Sequence, residues 1–147
     1  MVNTIEFCRI TLSKCQILKS FNVNSNKNLH TGVDISANIV HNYISGVVLY
    51  TGTDGYHKSV IVQYNYKYCF RYDNMIELYV YPGDILPSGV EIGKADKFVH
   101  FECLYSQSDD LRFPVRVGSE TYYKIDPTPF LYDDTLLPDP NSIYEVN

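Results

Sequence analysis

The sequence predicts an all-β domain of antiparallel strands. One observation is the run of short segments rich in Val, Ile and Tyr, such as Val47-Val48-Leu49-Tyr50 and Val60-Ile61-Val62. β-branched and aromatic residues of this kind fit a pleated, half-buried surface. The second is the punctuation between those segments. Gly, Pro, Asn and Asp signals recur roughly every 8–12 residues, the spacing of an all-β domain. The third is the aromatic usage, with 14 tyrosines and no tryptophan in 147 residues.

That length accommodates one domain with a tail and a core of its own. Hydrophobic residues make up 45% and charged residues 20%, which excludes a disordered or fibrous chain. The net charge of -5 and the lack of a Lys/Arg cluster argue against nucleic acid as a partner. Cys8, Cys15, Cys69 and Cys103 form no Cys-x-x-Cys pair, so a thiolate zinc site is not indicated and buried free thiols are expected. Met1 to Phe7 lacks the basic and apolar regions of a signal peptide. No stretch approaches the roughly 18 apolar residues of a membrane span. Synthesis in the cytoplasm is the expectation.

Taken in order, residues 2–12 predict a strand. Residues 13–20 fit either a strand or a short helical turn, and 21–29 form a polar loop rich in Asn. Residues 33–40 predict a short strand, and 44–50 a further strand ending at a turn over 51–55, where Asp54-Gly55 is a hairpin signal. Strands follow at 59–66, 68–72 and 75–79, and Pro82-Gly83 ends the last. Residues 85–89 predict a turn. Strands at 90–92 and 98–105 are split by 93–97, and 115–123 predict a hairpin. Asp126-Pro127-Thr128-Pro129 closes the folded part. Residues 132–147, acidic and proline-bearing, predict an extended tail. The organisation expected is an N-terminal strand and loop over 1–28, a domain over 29–131 and the tail.

One stretch carries chemistry. His30-Thr31-Gly32-Val33-Asp34 puts two metal-ligand types four residues apart, with Gly32 to let the backbone turn between them. The matching partner is Phe98-Val99-His100-Phe101-Glu102, where residues 98, 100 and 102 share one face of a strand. Taken singly, a histidine on a β face is more often a satisfied hydrogen-bonding residue than a ligand. His41 and His57 are expected to be solvated loop residues. Asp109-Asp110 and Asp133-Asp134 are expected to be exposed acidic pairs, and the Tyr-rich stretch from Tyr64 to Tyr81 sheet packing or an aromatic interaction surface.

The order of these segments resembles the lysostaphin-type zinc metallopeptidases, which cut peptide bonds in bacterial peptidoglycan. His30-Thr-Gly-Val-Asp34-Ile35 is similar to the family's His-x-Gly-x-Asp-Ile, and Ile44-Ser-Gly-Val-Val48 to its Gly-x-Val strand. Val80-Tyr-Pro-Gly-Asp-Ile-Leu-Pro-Ser-Gly-Val-Glu-Ile-Gly93 resembles its Val-x-x-Gly-(Asp/Gln)-x-Val-x-x-Gly-x-x-Ile-Gly run. Val99-His-Phe-Glu102 resembles the end of its His-Leu-His-Phe-Glu strand, and Asp126-Pro-Thr-Pro-Phe-Leu131 its closing Asp-Pro-x-x-Tyr-Leu. The resemblance implies an open, barrel-like antiparallel sheet and zinc held by His30, Asp34 and His100. In a second register Glu102 takes the third ligand place.

The same resemblance implies two histidines that do not ligate zinc. Here those positions hold Asn74 and Phe98. A hydrolase needs a group that takes a proton and returns it to the leaving amine. Asn74 cannot do so near neutral pH and Phe98 has no polar atom. The chain is therefore expected to be a non-catalytic member with a structural or binding role, which by resemblance places it among phage tail or baseplate proteins. Two alternatives stay open. One is an active zinc endopeptidase using Tyr72, Glu102 or His57 as its base. The other is a domain that binds cell-wall peptide or sugar without cutting.

Overall fold

The computed structural model describes residues 3–139. Its strands are β1 (Asn3–Cys8), β2 (Ser13–Lys19), β3 (Val33–Ser36), β4 (Ile39–His41), β5 (Gly46–Asp54) and β6 (His57–Gln63). They continue with β7 (Tyr68–Leu78), β8 (Ile85–Leu86), β9 (Glu91–Tyr105), β10 (Pro114–Val117) and β11 (Glu120–Ile125). Every pairing is antiparallel. The main path runs β1-β2-β3-β9-β7-β6-β5-β8 and does not close, so the fold is an open all-β sheet as the sequence predicts. β9 is the spine: β7 lies along one edge, and β11, β3 and β4 follow one another along the other.

Alternation along β9 separates two faces. Val99, Phe101 and Cys103 enter the main core with Val33 and Ile35 of β3 and Phe70 and Tyr72 of β7. Phe70 and Phe101 stack with centroids 5.5 Å apart, and Tyr43 meets both edge-on. The buried Tyr72 hydroxyl donates to Asn42 Oδ1 at 2.9 Å and accepts from the Tyr43 amide at 2.8 Å, so it is satisfied. On the other face, the β10–β11 hairpin covers a smaller core of Ile61, Cys69, Leu104, Val117 and Tyr122. That hairpin turns tightly at Gly118-Ser119, where Gly118 takes φ +63. His100 and Glu102 lie on this second face.

Several elements differ from expectation. The ambiguous residues 13–20 are strand β2, which joins the N-terminal hairpin to the chain's own β3. β5 runs on to Asp54, because Thr51, Gly52 and Thr53 all pair with β6. The two strands expected within 68–79 are one, β7, and the two within 90–105 are one, β9. Asn74, Gly93 and Lys97 look like turn residues in sequence, but they occupy irregularities that neighbouring strands carry through. Asn74 sits at φ +67, a conformation Asn tolerates better than most residues. Its carboxamide donates to Phe98 O at 2.8 Å and Asp96 O at 3.1 Å, where β9 bulges away from β7.

Residues 132–139 are not an extended tail. Thr128–Tyr132 form a helical turn, α1, and Asp134–Leu136 a 3-10 turn. Pro129 falls in the first turn, where no amide is needed, and Pro138 follows the last, so neither blocks a helix. Leu131 and Leu137 are buried in the main core. Arg9 and Asp134 pair at 2.6 Å, and the Tyr64 hydroxyl donates to Pro138 O. Residues 140–147 of the expected tail lie outside the described residues. All four cysteines are buried with free thiols. Among the described residues no helix is long and apolar enough to cross a membrane.

Replacing Asn74 by Ala leaves the two β9 carbonyls without their donor. The loss of unfolding free energy is expected to be about 1–3 kcal/mol, read from urea denaturation. An unchanged midpoint would mean that the carboxamide does not hold the bulge.

Candidate metal centre

Asp34 of β3 is the direct cross-strand partner of His100 of β9, so their side chains emerge together on one face. His30 arrives from the loop before β3. A bridge to Asn22, with both amide–carbonyl bonds at 2.8 Å, pins its backbone. Between His30 and Asp34 the chain bends closely over β9. A Cβ on Gly32 would lie 2.6 Å from Phe101 O and 2.9 Å from the His100 ring, so glycine is required there for space. Gly32 is not at positive φ, so its need is for space and not for a left-handed conformation.

The donor atoms of His30, Asp34 and His100 lie within 4.8 Å of one another. Asp34 Oδ1 is 2.7 Å from His100 Nδ1 and 3.2 Å from His30 Nε2. The outer ring nitrogens are also held. His30 Nδ1 donates to Ser20 O at 3.0 Å, and His100 Nε2 to Glu102 Oε2 at 3.0 Å. Each bond places a proton on the far nitrogen and turns the near one inward, the arrangement that supports metal-ligating histidines. Two imidazoles and one carboxylate are a donor set suited to zinc, which binds three such protein ligands in its open sites.

A row of charge surrounds the triad. Asp73 of β7 pairs opposite His100, and Arg71 opposite Glu102. Arg71 Nε donates to Asp73 Oδ1 at 3.0 Å. The Glu102 side chain is only 2% exposed; Lys124 Nζ lies 3.0 Å from its Oε2, and Arg71 Nη1 is 4.0 Å from its Oε1. Lys124 also donates to the Thr31 hydroxyl, which donates to Glu102. Burial works against charge on Glu102, yet the His100 hydrogen bond and Lys124 hold its pKa below the usual value. Burial raises that of Asp73, with Arg71 opposing. Burial likewise opposes charge on His100, but the bonds to Asp34 and Glu102 prevail and lift it to about 9.

The three residues are thus brought together, and the other positions named in the sequence lie around them. Asn74 does not face His100; its neighbour Asp73 does, because the bulge turns Asn74 toward the β9 carbonyls. Phe98 is half-buried on the His100 side, opposite Ser36. Glu102 supports His100 from outside the triad. Tyr72 points into the opposite core. His57 begins β6 and binds Asp96 at 3.0 Å, and His41 bonds Ile10 O at 3.1 Å, so neither is a free loop histidine. Asp110 is held by Arg112, and Asp133 caps the turn over 134–136. Asp73, Arg71 and Lys124 were not found in sequence. Parity along β9 signals Glu102, but nothing local tells which β7 and β11 residues stand beside it.

The sequence model of peptidase family M23 matches residues 28–124. The chain belongs to peptidase family M23. No curated protein matches the sequence. Among solved structures, the SpoIIQ–SpoIIIAH pore-forming complex gives a TM-score of 0.63 at 16% identity, covering 90% of this chain and 91% of that one. A zinc-containing peptidase from Vibrio cholerae gives 0.59 at 22%, covering 69% and 37%. The catalytic domain of the antimicrobial peptidase lysostaphin from Staphylococcus simulans gives 0.53 at 19%, covering 78% and 88%. At these identities the likeness is one of fold.

In this M23 chain, metal ligation requires His100 to release the proton it otherwise holds to about pH 9. Zinc affinity is therefore expected to climb with pH, by up to about tenfold per unit, followed by competition with a chromophoric chelator. With metal chelated the sign reverses. The His100 contribution to stability is full below its ordinary 6.5 and is lost as pH rises through about 9. A flat affinity profile would mean that His100 is not a ligand.

Proposed function

We propose that this chain is a non-cutting M23 domain, which holds zinc on His30, Asp34 and His100 and acts by binding. One observation carries the proposal: the three donor residues and their supporting bonds converge, but Asn74, Phe98, Tyr72, His57 and Glu102 offer no free proton carrier beside them. Asn74 holds β9 carbonyls, Phe98 is a hydrocarbon, Tyr72 lies in the core and His57 binds Asp96. Glu102 is held by His100 and Lys124. Zinc supplies a Lewis acid where it binds, and cleavage also needs a proton acceptor that can hand its proton on. Here Asp34 joins the ligand histidines, Glu102 fixes the His100 ring, and Lys124 neutralises Glu102.

A second reading has its own observation. Asp73 faces His100 on the site side, and burial raises its pKa above the usual carboxylate value, with Arg71 opposing. That favours a peptidase whose base is a carboxylate in place of a histidine. The two separate on purified peptidoglycan. Zinc-loaded protein is expected to release no amines above a zinc-free control, and to contain one zinc per chain that Asp34→Ala loses. Amine release that disappears in Asp73→Asn would make the chain an enzyme.

The setting we propose is a phage tail or contractile-particle baseplate, by analogy with a prophage-encoded M23 protein of similar fold from Enterococcus faecalis. That the fold also enters protein complexes is seen in SpoIIQ with SpoIIIAH. The chain should sediment with intact particles from a producing culture; recovery only in the soluble fraction would argue against that setting.

A further inference from the structure

A second feature of the site face lies outside the triad and shares only Glu102 with its supporting bonds. Cross-strand pairing lines up Tyr50, Ile61, Arg71 and Glu102 across β5, β6, β7 and β9. This row lies one step along the sheet from the row of Asp73, His100 and Asp34. The β10–β11 hairpin stands over it and leaves a cavity of about 300 Å³ between hairpin and sheet. Leu49, Ile61 and Val115 supply apolar walls, and Tyr50, Arg71 and Arg116 supply polar ones.

We propose that this cavity is a carboxylate pocket for the C-terminal residue of a peptide. Arg71 and Arg116 are among its lining residues. Arg71 spends its Nε on Asp73, while its Nη1 stays 4.0 Å from the nearest Glu102 oxygen, too far for a hydrogen bond. Its terminal donors are therefore unspent among the described residues. That Glu102 oxygen is itself buried without a hydrogen-bond partner among the described residues. Arg116 is exposed and has no ion pair or hydrogen bond among the described residues. A guanidinium presents five donors in a planar fork that matches a carboxylate.

The apolar walls beside these charges suit a side chain attached next to the carboxylate, which a free inorganic anion lacks. The volume is at the low end of small-ligand pockets, so it holds a terminal residue and not a long segment. A peptide anchored there extends along the sheet past Asp73 toward the metal triad. The inference rests on the binding role proposed above and gives it a ligand chemistry. It uses none of the three metal ligands, so it can fail or succeed independently of them.

The test is a titration of the full chain with N-acetyl-alanyl-alanine and with its C-terminal amide, followed by amide NMR shifts. The free acid is expected to shift residues around Arg71, Arg116 and Tyr50 and to bind at least about tenfold more tightly than the amide. Arg116→Gln, at an exposed site, should weaken the acid about fivefold or more and leave the amide unchanged. Arg71→Lys, which keeps the charge but loses the fork, should weaken it as well. Binding should persist in Asp34→Ala, where the metal is lost. Equal binding of acid and amide, no binding at millimolar peptide, or competition by inorganic phosphate as effective as by peptide would overturn the pocket. So would binding that is lost in Asp34→Ala and untouched in Arg116→Gln, since the carboxylate would then sit on the metal.

Discussion

The pairing of β3 with β9 in the register that sets Asp34 opposite His100 is the constraint on which the rest of the molecule depends. It brings Asp34 and His100 together, and the same register buries Val33, Ile35, Val99 and Phe101 on the reverse face. A slip of one residue would send the ligands into the core and the core into solvent. Packing and chemistry therefore enforce the same alignment. Gly32 completes it, because only a residue without Cβ lets the approach to β3 lie flat on β9.

The electrostatics of the site follow from burial. Glu102 is nearly sealed, and an isolated buried carboxylate would be too costly to keep ionised. His100 and Lys124 surround it at 3.0 Å each, with Arg71 beyond. Such a network stabilises only as a whole, since removing one partner leaves uncompensated charge. Asp34, His100, Glu102 and their partners tie β3, β9, β7 and β11 together.

The β10–β11 hairpin divides the working face. Beneath it, Ile61, Cys69, Leu104 and Tyr122 form a second small core. Beyond its edge the sheet carries charge and opens toward the metal residues. Arg71 stands at the boundary, facing the cavity on one side and Asp73 on the other. The face thus passes from apolar packing through the row holding Arg71 and Glu102 to His100 and Asp34.

The all-β class, the Gly118 hairpin, the family and the positions of His30, Asp34 and His100 were all legible in the sequence. Strand alternation, turn chemistry and motif spacing are local, so they survive in one dimension. The interruptions at Asn74 and at 93–97 misled, because a bulge and a turn use the same residue types and only the neighbouring strand decides between them. The prolines after residue 126 misled for a related reason: they limit where a helical turn begins and ends, not whether Leu131 and Leu137 find a core to enter. Composition and local pattern determined what the chain is built from and which donors it offers. Tertiary structure alone decided that Asp73, and not Asn74, faces His100, and that Arg71 and Lys124 close around Glu102. Those relations depend on cross-strand register between segments far apart in the chain, and register is set by the packing of both faces at once.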